Sequence, residues 1–223
     1  MDGFRGPCWD WCDGVALLDA GLLRARVAGG EEGGAGFSDI RWPGTDPSLA
    51  KLQLLSVIGS TKGAEVRLPK GDAYLRGTDL VRTHPSSPGF AYRCQTYRSC
   101  RALPRLGGVA LTLTLSLQTN RLDGSPRVAV RSLLDDAHQL GDAPVVLGHS
   151  DRVAIAPLPD DAAETSFAVD RSGATLWFAP PFLEKGVIRR AQFVAILAPA
   201  PLVAETVQAA LVELATAPLP LTT

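Results

Sequence analysis

Val109-Ala110-Leu111-Thr112-Leu113-Thr114-Leu115-Ser116-Leu117-Gln118 places a large aliphatic at every odd position and a small or polar residue at every even one. Side chains on a strand alternate between its two faces, so this stretch puts all five aliphatics on one side. A helix would scatter them around its circumference. The run therefore reads as a strand covering a core on one face, the pattern of an antiparallel sheet. The other face carries Ala110, Thr112, Thr114 and Ser116, small for a solvent-facing row. It is expected to lie under a helix or to floor a shallow ligand groove.

Working outward, Asp123-Gly124 marks a turn, and Arg127–Leu133 is expected to return as the partner of this strand. Phe167–Val169 and Ala174–Phe178 around Asp170-Arg171-Ser172-Gly173 form the best hairpin in the chain. Further strand candidates are Val15–Leu18, Leu22–Val27, Lys51–Ile58, Ala64–Leu68, Asp72–Leu75, Asp79–Thr83, Val145–Leu147, Arg152–Ala156 and Val187–Leu197. Phe90–Tyr97 reads as extended. Helical periodicity is strong only near the end, where Leu202–Leu214 carries an apolar stripe between Pro201 and Pro218. Ten to twelve strands and one helix predict a mainly β fold, an antiparallel two-layer β-sandwich with one C-terminal α-helix at about 201–216. No fixed-period repeat or linker divides the chain. It is expected to form a single domain over 1–223, with the Trp- and Cys-rich segment 1–14 packed onto it.

Composition narrows the classes. In 223 residues, 46% hydrophobic content is enough for a substantial core, and 22 glycines with 17 prolines imply many turns. The net charge of −1 gives no bulk attraction to nucleic acid or anionic membrane, so neither partner is expected. No apolar run approaches the roughly 18 residues of a membrane-spanning helix. The start, Met1-Asp2-Gly3-Phe4-Arg5, lacks the pattern of a secretory leader. A cytoplasmic protein is the expectation, with Cys8, Cys12, Cys94 and Cys100 reduced. The spacings Cys8-x3-Cys12 and Cys94-x5-Cys100 match neither each other nor a zinc ribbon, and no metal or cofactor is predicted. Gly29-Gly30-Glu31-Glu32-Gly33-Gly34 has the glycines of a phosphate loop but acids at its centre, and reads as a loop.

The most suggestive segment for function is Tyr92-Arg93-Cys94-Gln95-Thr96-Tyr97-Arg98-Ser99-Cys100-Arg101. From Lys70 to Arg105 seven basic residues stand against Asp72 and Asp79, a local balance of +5. Guanidinium groups beside aromatic rings suit phosphate, carboxylate or sugar ligands. Tyr92, Arg93, Tyr97, Arg98 and Arg101 are the candidate binding residues, and the corresponding function is a non-catalytic binding or scaffold domain for an anionic or carbohydrate small molecule or a protein partner. The alternative is a carbohydrate-active enzyme, epimerase- or mutarotase-like or a hydrolase. By analogy with sugar epimerases on β-sandwich folds, it would pair the loop histidines His84 and His149 with the carboxylate of Glu184. The late strand adds Arg189-Arg190, whose charges point to opposite faces, so that one is expected to be turned inward or to lie near a sheet edge.

Overall fold

The computed structural model describes residues 6–28, 34–42, 47–61, 63–122 and 124–216. In chain order the first strands are β1 (Cys8–Cys12), β2 (Val15–Asp19), β3 (Arg24–Ala28), β4 (Phe37–Arg41), β5 (Gln53–Thr61), β6 (Ala64–Val66), β7 (Asp72–Arg76), β8 (Asp79–His84) and β9 (Arg93–Leu103). They are followed by β10 (Gly108–Gln118), β11 (Arg127–Leu133), β12 (His138–Gln139), β13 (Val146–Gly148), β14 (Val153–Pro157), β15 (Thr165–Asp170), β16 (Gly173–Phe178), β17 (Ile188–Leu197) and the helix α1 (Ala204–Ala215).

The strands form two antiparallel sheets. One runs in the order β1-β2-β3-β4-β5-β11-β16-β15, with β6 also paired to β5. The other runs β12-β13-β14-β17-β10-β9-β8-β7. The protein is therefore a mostly β, two-layer sandwich with one C-terminal helix.

The alternating stretch is β10, at the centre of the second sheet. Val109, Leu111, Leu113, Leu115 and Leu117 are fully buried and belong to one continuous core that takes residues from both sheets, among them Phe37, Leu54, Val130, Leu176 and Phe193. Its second face is covered at one end by α1. There Ala110, Ala154, Ala156, Val194 and Ile196 pack with Val207, Ala210, Leu211 and Leu214 of the helix. The Ala110 end is small because a helix has to approach the backbone closely. α1 begins with the Thr206 hydroxyl, which accepts from the Val203 amide at 3.1 Å and donates to the Val203 carbonyl at 2.8 Å. Pro218 lies outside the described residues.

The partner of β10 differs from the sequence expectation. Arg127–Leu133 does not return beside it. β11 crosses to the other sheet and pairs with β5 and β16. Both edges of β10 are taken by β9 and β17 instead. Length explains the choice: β9 and β17 have 11 and 10 residues to match the 11 of β10, whereas β11 has 7. Asp123 of the expected turn lies outside the described residues. The described residues also hold more strands than the expected ten to twelve, in part because β1, β4 and β12 are too short or too polar to show alternation.

A bulge shapes the first sheet. Leu55 adopts φ of +59°, and the β5–β11 register shifts between Arg131 and Leu133. A leucine in the left-handed region costs roughly 1–2 kcal/mol. Full burial of its side chain and a hydrogen bond from its amide to the Ser132 hydroxyl at 3.1 Å offset this.

Candidate functional site: a basic groove on the outer sheet face

The register of the second sheet sorts the suspected segment by parity. Opposite Ala110, Thr112, Thr114, Ser116 and Gln118 on β9 stand Arg101, Ser99, Tyr97, Gln95 and Arg93. These residues therefore share the outer face, away from the core. On β17 the same face carries Gln192 opposite Thr114 and Arg190 opposite Ser116. Beyond the apolar patch under α1, this face becomes a row of linked polar groups. Gln192 donates to the Thr114 hydroxyl at 3.1 Å, Tyr97 donates to Gln95 at 2.7 Å, and Gln95 donates to Thr83 at 2.9 Å. Tyr97 is only 2% exposed, so it presents its hydroxyl and not a ring face. Burial and the neighbouring Tyr74 push that hydroxyl's pKa upward, against the opposing charges of Arg190, Arg76 and Arg93.

At the end of this face the polar row opens into a groove of about 470 Å³. Arg93 and Gln118, directly opposite each other, form its floor. One wall is Ser86-Ser87-Pro88, from the turn between β8 and β9, and the other is Thr119-Asn120-Arg121, where the chain leaves β10. Among the described residues the lining holds two guanidinium groups, two carboxamides and several hydroxyls, and no carboxylate. Neither Arg93 nor Arg121 is held by an acid among the described residues. The hairpin geometry creates this site: β9 and β10 are joined through Pro104–Leu106 and Gly107, so the start of one strand lies beside the end of the other.

The predicted binding residues separate accordingly. Arg93 lies in the groove. Tyr97 lies farther along the same face. Arg101 also faces outward, near Asp79, whose carboxyl is raised by burial and lowered by Ser99, Arg101 and Arg76. Tyr92 precedes β9 and packs edge-on against Phe90 at 5.4 Å. Arg98 is not on this face. Its parity is that of Cys94 and Cys100, and it is fully buried on the inner side of the sheet. Arg190 of the late pair faces outward, while Arg189 stands on the Leu117 side but is exposed beyond the core.

The histidines and Glu184 are not assembled into one site. His84 is buried on the inner face of β8, with Nδ1 at 2.8 Å from the Pro69 carbonyl. Burial, and then Arg98 and Arg82, lower its pKa to about 4, while the Pro69 bond opposes the shift. His149 lies in the turn between β13 and β14, in the left-handed region together with Ser150 and Asp151. Strands β14 and β8 are four places apart in the sheet, and His149 lies toward the Val109 end of β10 while His84 lies level with Leu117, so the two histidines are well over about 19 Å apart. Glu184 is exposed in the connection before β17. The cysteines are likewise dispersed: Cys8 and Cys12 lie exposed on β1, whereas Cys94 and Cys100 are buried and their thiols are pushed up to about 12. No group of three metal-ligating side chains forms among the described residues. Gly29–Gly33 of the glycine-rich loop lies outside them.

A second, larger concavity of about 570 Å³ lies over the solvent face of β1–β4. Each of its arginines is paired with a carboxylate: Arg24 with Asp19 at 3.0 Å, Arg41 with Asp39 at 3.1 Å and Arg26 with Asp39 at 3.9 Å, and the lining adds the acids Asp10 and Asp13. It therefore offers an anion no uncompensated arginine, in contrast to the groove at Arg93.

Sequence reasoning missed Arg121, Gln118, Asn120 and the Ser86-Ser87 pair. Gln118 ends the alternating strand, and the others sit in turns that read as mere connections. Only the β9–β10 register brings them beside Arg93.

No protein-family model matches the chain, and no curated protein is similar to it in sequence. Among solved structures, a chain described as a kojibiose phosphorylase from the human microbiome is similar over 74% of this chain and 25% of its own, at 11% identity and a TM-score of 0.44. A heparinase III gene product is similar over 86% of this chain and 34% of its own, at 8% identity and a TM-score of 0.39. The chain thus spans a quarter to a third of the length of these structures. No helix among the described residues is long and apolar enough to cross a membrane.

Proposed function

We propose that this chain is a non-catalytic binding domain whose ligand is an anionic saccharide, taken up in the groove between Ser86-Ser87-Pro88 and Thr119-Asn120-Arg121. One observation carries the reading. Among the described residues the groove presents two guanidinium groups with no carboxylate in its lining, beside the amides and hydroxyls that recognise sugar hydroxyls. Its volume of about 470 Å³ is suited to a mono- or disaccharide. Guanidinium groups take a carboxylate, sulfate or phosphate in bidentate fashion, so charge on the sugar selects the ligand.

Titration calorimetry with glucuronate, glucose 6-phosphate and a sulfated disaccharide, against neutral glucose, tests this. At least one charged sugar is expected to bind, more weakly as salt is added, while glucose does not compete. Arg93→Ala and Arg121→Ala are each expected to weaken that binding about tenfold or more. Absence of binding by all three anions, or binding unchanged in both variants, would overturn the proposal.

A further inference from the structure

The interior of the second sheet holds charges that the core does not account for. Arg82 on β8 stands directly opposite Thr96 on β9, and His84 directly opposite Cys94. Arg98, two residues along β9 from Thr96, folds back and donates from Nη1 to the Thr96 hydroxyl at 2.7 Å. The two guanidinium groups and the imidazole are thereby gathered over one short stretch of the inner face, beside Leu113, Leu115 and Leu117 of β10. Exposure is 2% for Arg82 and 0% for both Arg98 and His84.

Among the described residues their hydrogen bonds are incomplete. Arg82 uses Nη1 on the Ala28 carbonyl at 2.9 Å, and its Nη2 has no partner. Arg98 Nε and Nη2 have none either. These two nitrogens form the side-on edge of the guanidinium, the fork that takes both oxygens of one oxyanion. His84 Nε2 is also buried without a partner. No carboxylate pairs with either arginine among the described residues. Two like charges without counter-charge in an apolar interior are strongly unfavourable, and a buried charge persists only when something compensates it.

We propose that the side-on edge of Arg98, together with Nη2 of Arg82, is a second ligand site that holds an oxyanion, either a phosphate or the carboxylate group of a small molecule, inside the sandwich. The cluster adjoins the rim. Ala28, whose carbonyl receives Arg82, is exposed, and Pro69, which receives His84, is partly so. The segment after Pro69 is pressed against the end of β8: a Cβ on Gly71 would lie 1.9 Å from the Thr83 carbonyl oxygen. The oxyanion would complete the Arg98 fork, neutralise charge shared by two strands and place negative charge beside His84.

Thermal unfolding of the full chain in graded sodium phosphate or sodium acetate, with ionic strength held constant by sodium chloride, reads this site. Tm is expected to rise and saturate with at least one of the two. Phosphate alone would identify a tetrahedral ligand, and acetate alone a carboxylate. Measured in an Arg93→Ala/Arg121→Ala background, which removes the groove's own affinity for anions, Arg98→Met, which keeps the volume and removes the charge, is expected to shift half-saturation at least about tenfold higher. A rise that never saturates, or one that is the same in Arg98→Met, overturns the proposal. A crystal structure of the unmutated chain grown in selenate gives a check that needs no variant. Anomalous density on the Nε–Nη2 edge of Arg98 supports the site, and where phosphate raises Tm, its absence there overturns it.

Discussion

His84 shows how a single residue couples the interior to solution conditions. Its Nδ1 donates to the Pro69 carbonyl, so the imidazole is a fixed neutral tautomer with a bare Nε2 among cations. The groups facing it are Arg82 on its own strand, Arg98 and the Cys94 thiol on β9, and the Pro69 carbonyl. Its pKa falls from an ordinary 6.5 to about 4 on folding, chiefly through burial. The unfolded chain then binds the extra proton between those values, and stability is lost as pH falls through that window. The loss is about 2 kcal/mol by pH 5 and about 3 kcal/mol by pH 4 relative to pH 7. Urea unfolding in a buffer free of phosphate and carboxylate measures it. His84→Gln, which cannot take up the proton, is expected to flatten the profile between pH 4 and 6.5. An equal slope in the variant would assign the loss to other groups.

At the scale of elements, α1 and β10 divide the work of covering the second sheet. Val207, Leu211 and Leu214 of α1 pack on Ala110, Ala154 and Ala156, whereas Val212 is 51% exposed. Leu211→Ala is expected to destabilise the chain by about 2–3 kcal/mol, seen as a lower urea midpoint. Val212→Ala removes nothing from the core and improves helix propensity, so its midpoint is expected to hold or rise by up to about 0.5 kcal/mol. Equal losses in the two variants would mean that the helix does not pack on this face. These elements were also the most legible in the sequence. The alternation of β10 and the stripe of α1 each repeat over enough residues to reveal their period. The β15–β16 hairpin is read from its turn for the same local reason. Pairing between distant strands is not local, which is why Arg127–Leu133 appeared to belong beside β10. The groove suffers most from this limit. Arg93 was conspicuous in a basic run, but Arg121 becomes its neighbour only through the β9–β10 register. Arg98 sits in the same run, and the parity of one strand sends it to the opposite side.

For the molecule as a whole, the question is whether two sheets with different covers unfold as one body. One core cluster takes side chains from both, and two hydrogen bonds tie the first sheet to the β7–β8 hairpin. Trp9 on β1 donates through Nε1 to the Thr78 carbonyl at 3.0 Å, and Arg82 on β8 donates to the Ala28 carbonyl of β3. The reporters are conveniently separated. All four tryptophans, Trp9, Trp11, Trp42 and Trp177, lie on or next to the first sheet. The only α-helix among the described residues, α1, lies on the outer face of the second. Tryptophan fluorescence therefore follows one layer, and ellipticity at the helix band follows the cover of the other. Shared burial at this density makes it unfavourable for either layer to open while the other stays closed. The two signals are expected to give the same urea midpoint and the same slope. If fluorescence changes while the helical signal persists, the layers are separate cooperative units. The cluster at Arg82 and Arg98 would then be released with whichever layer opens first.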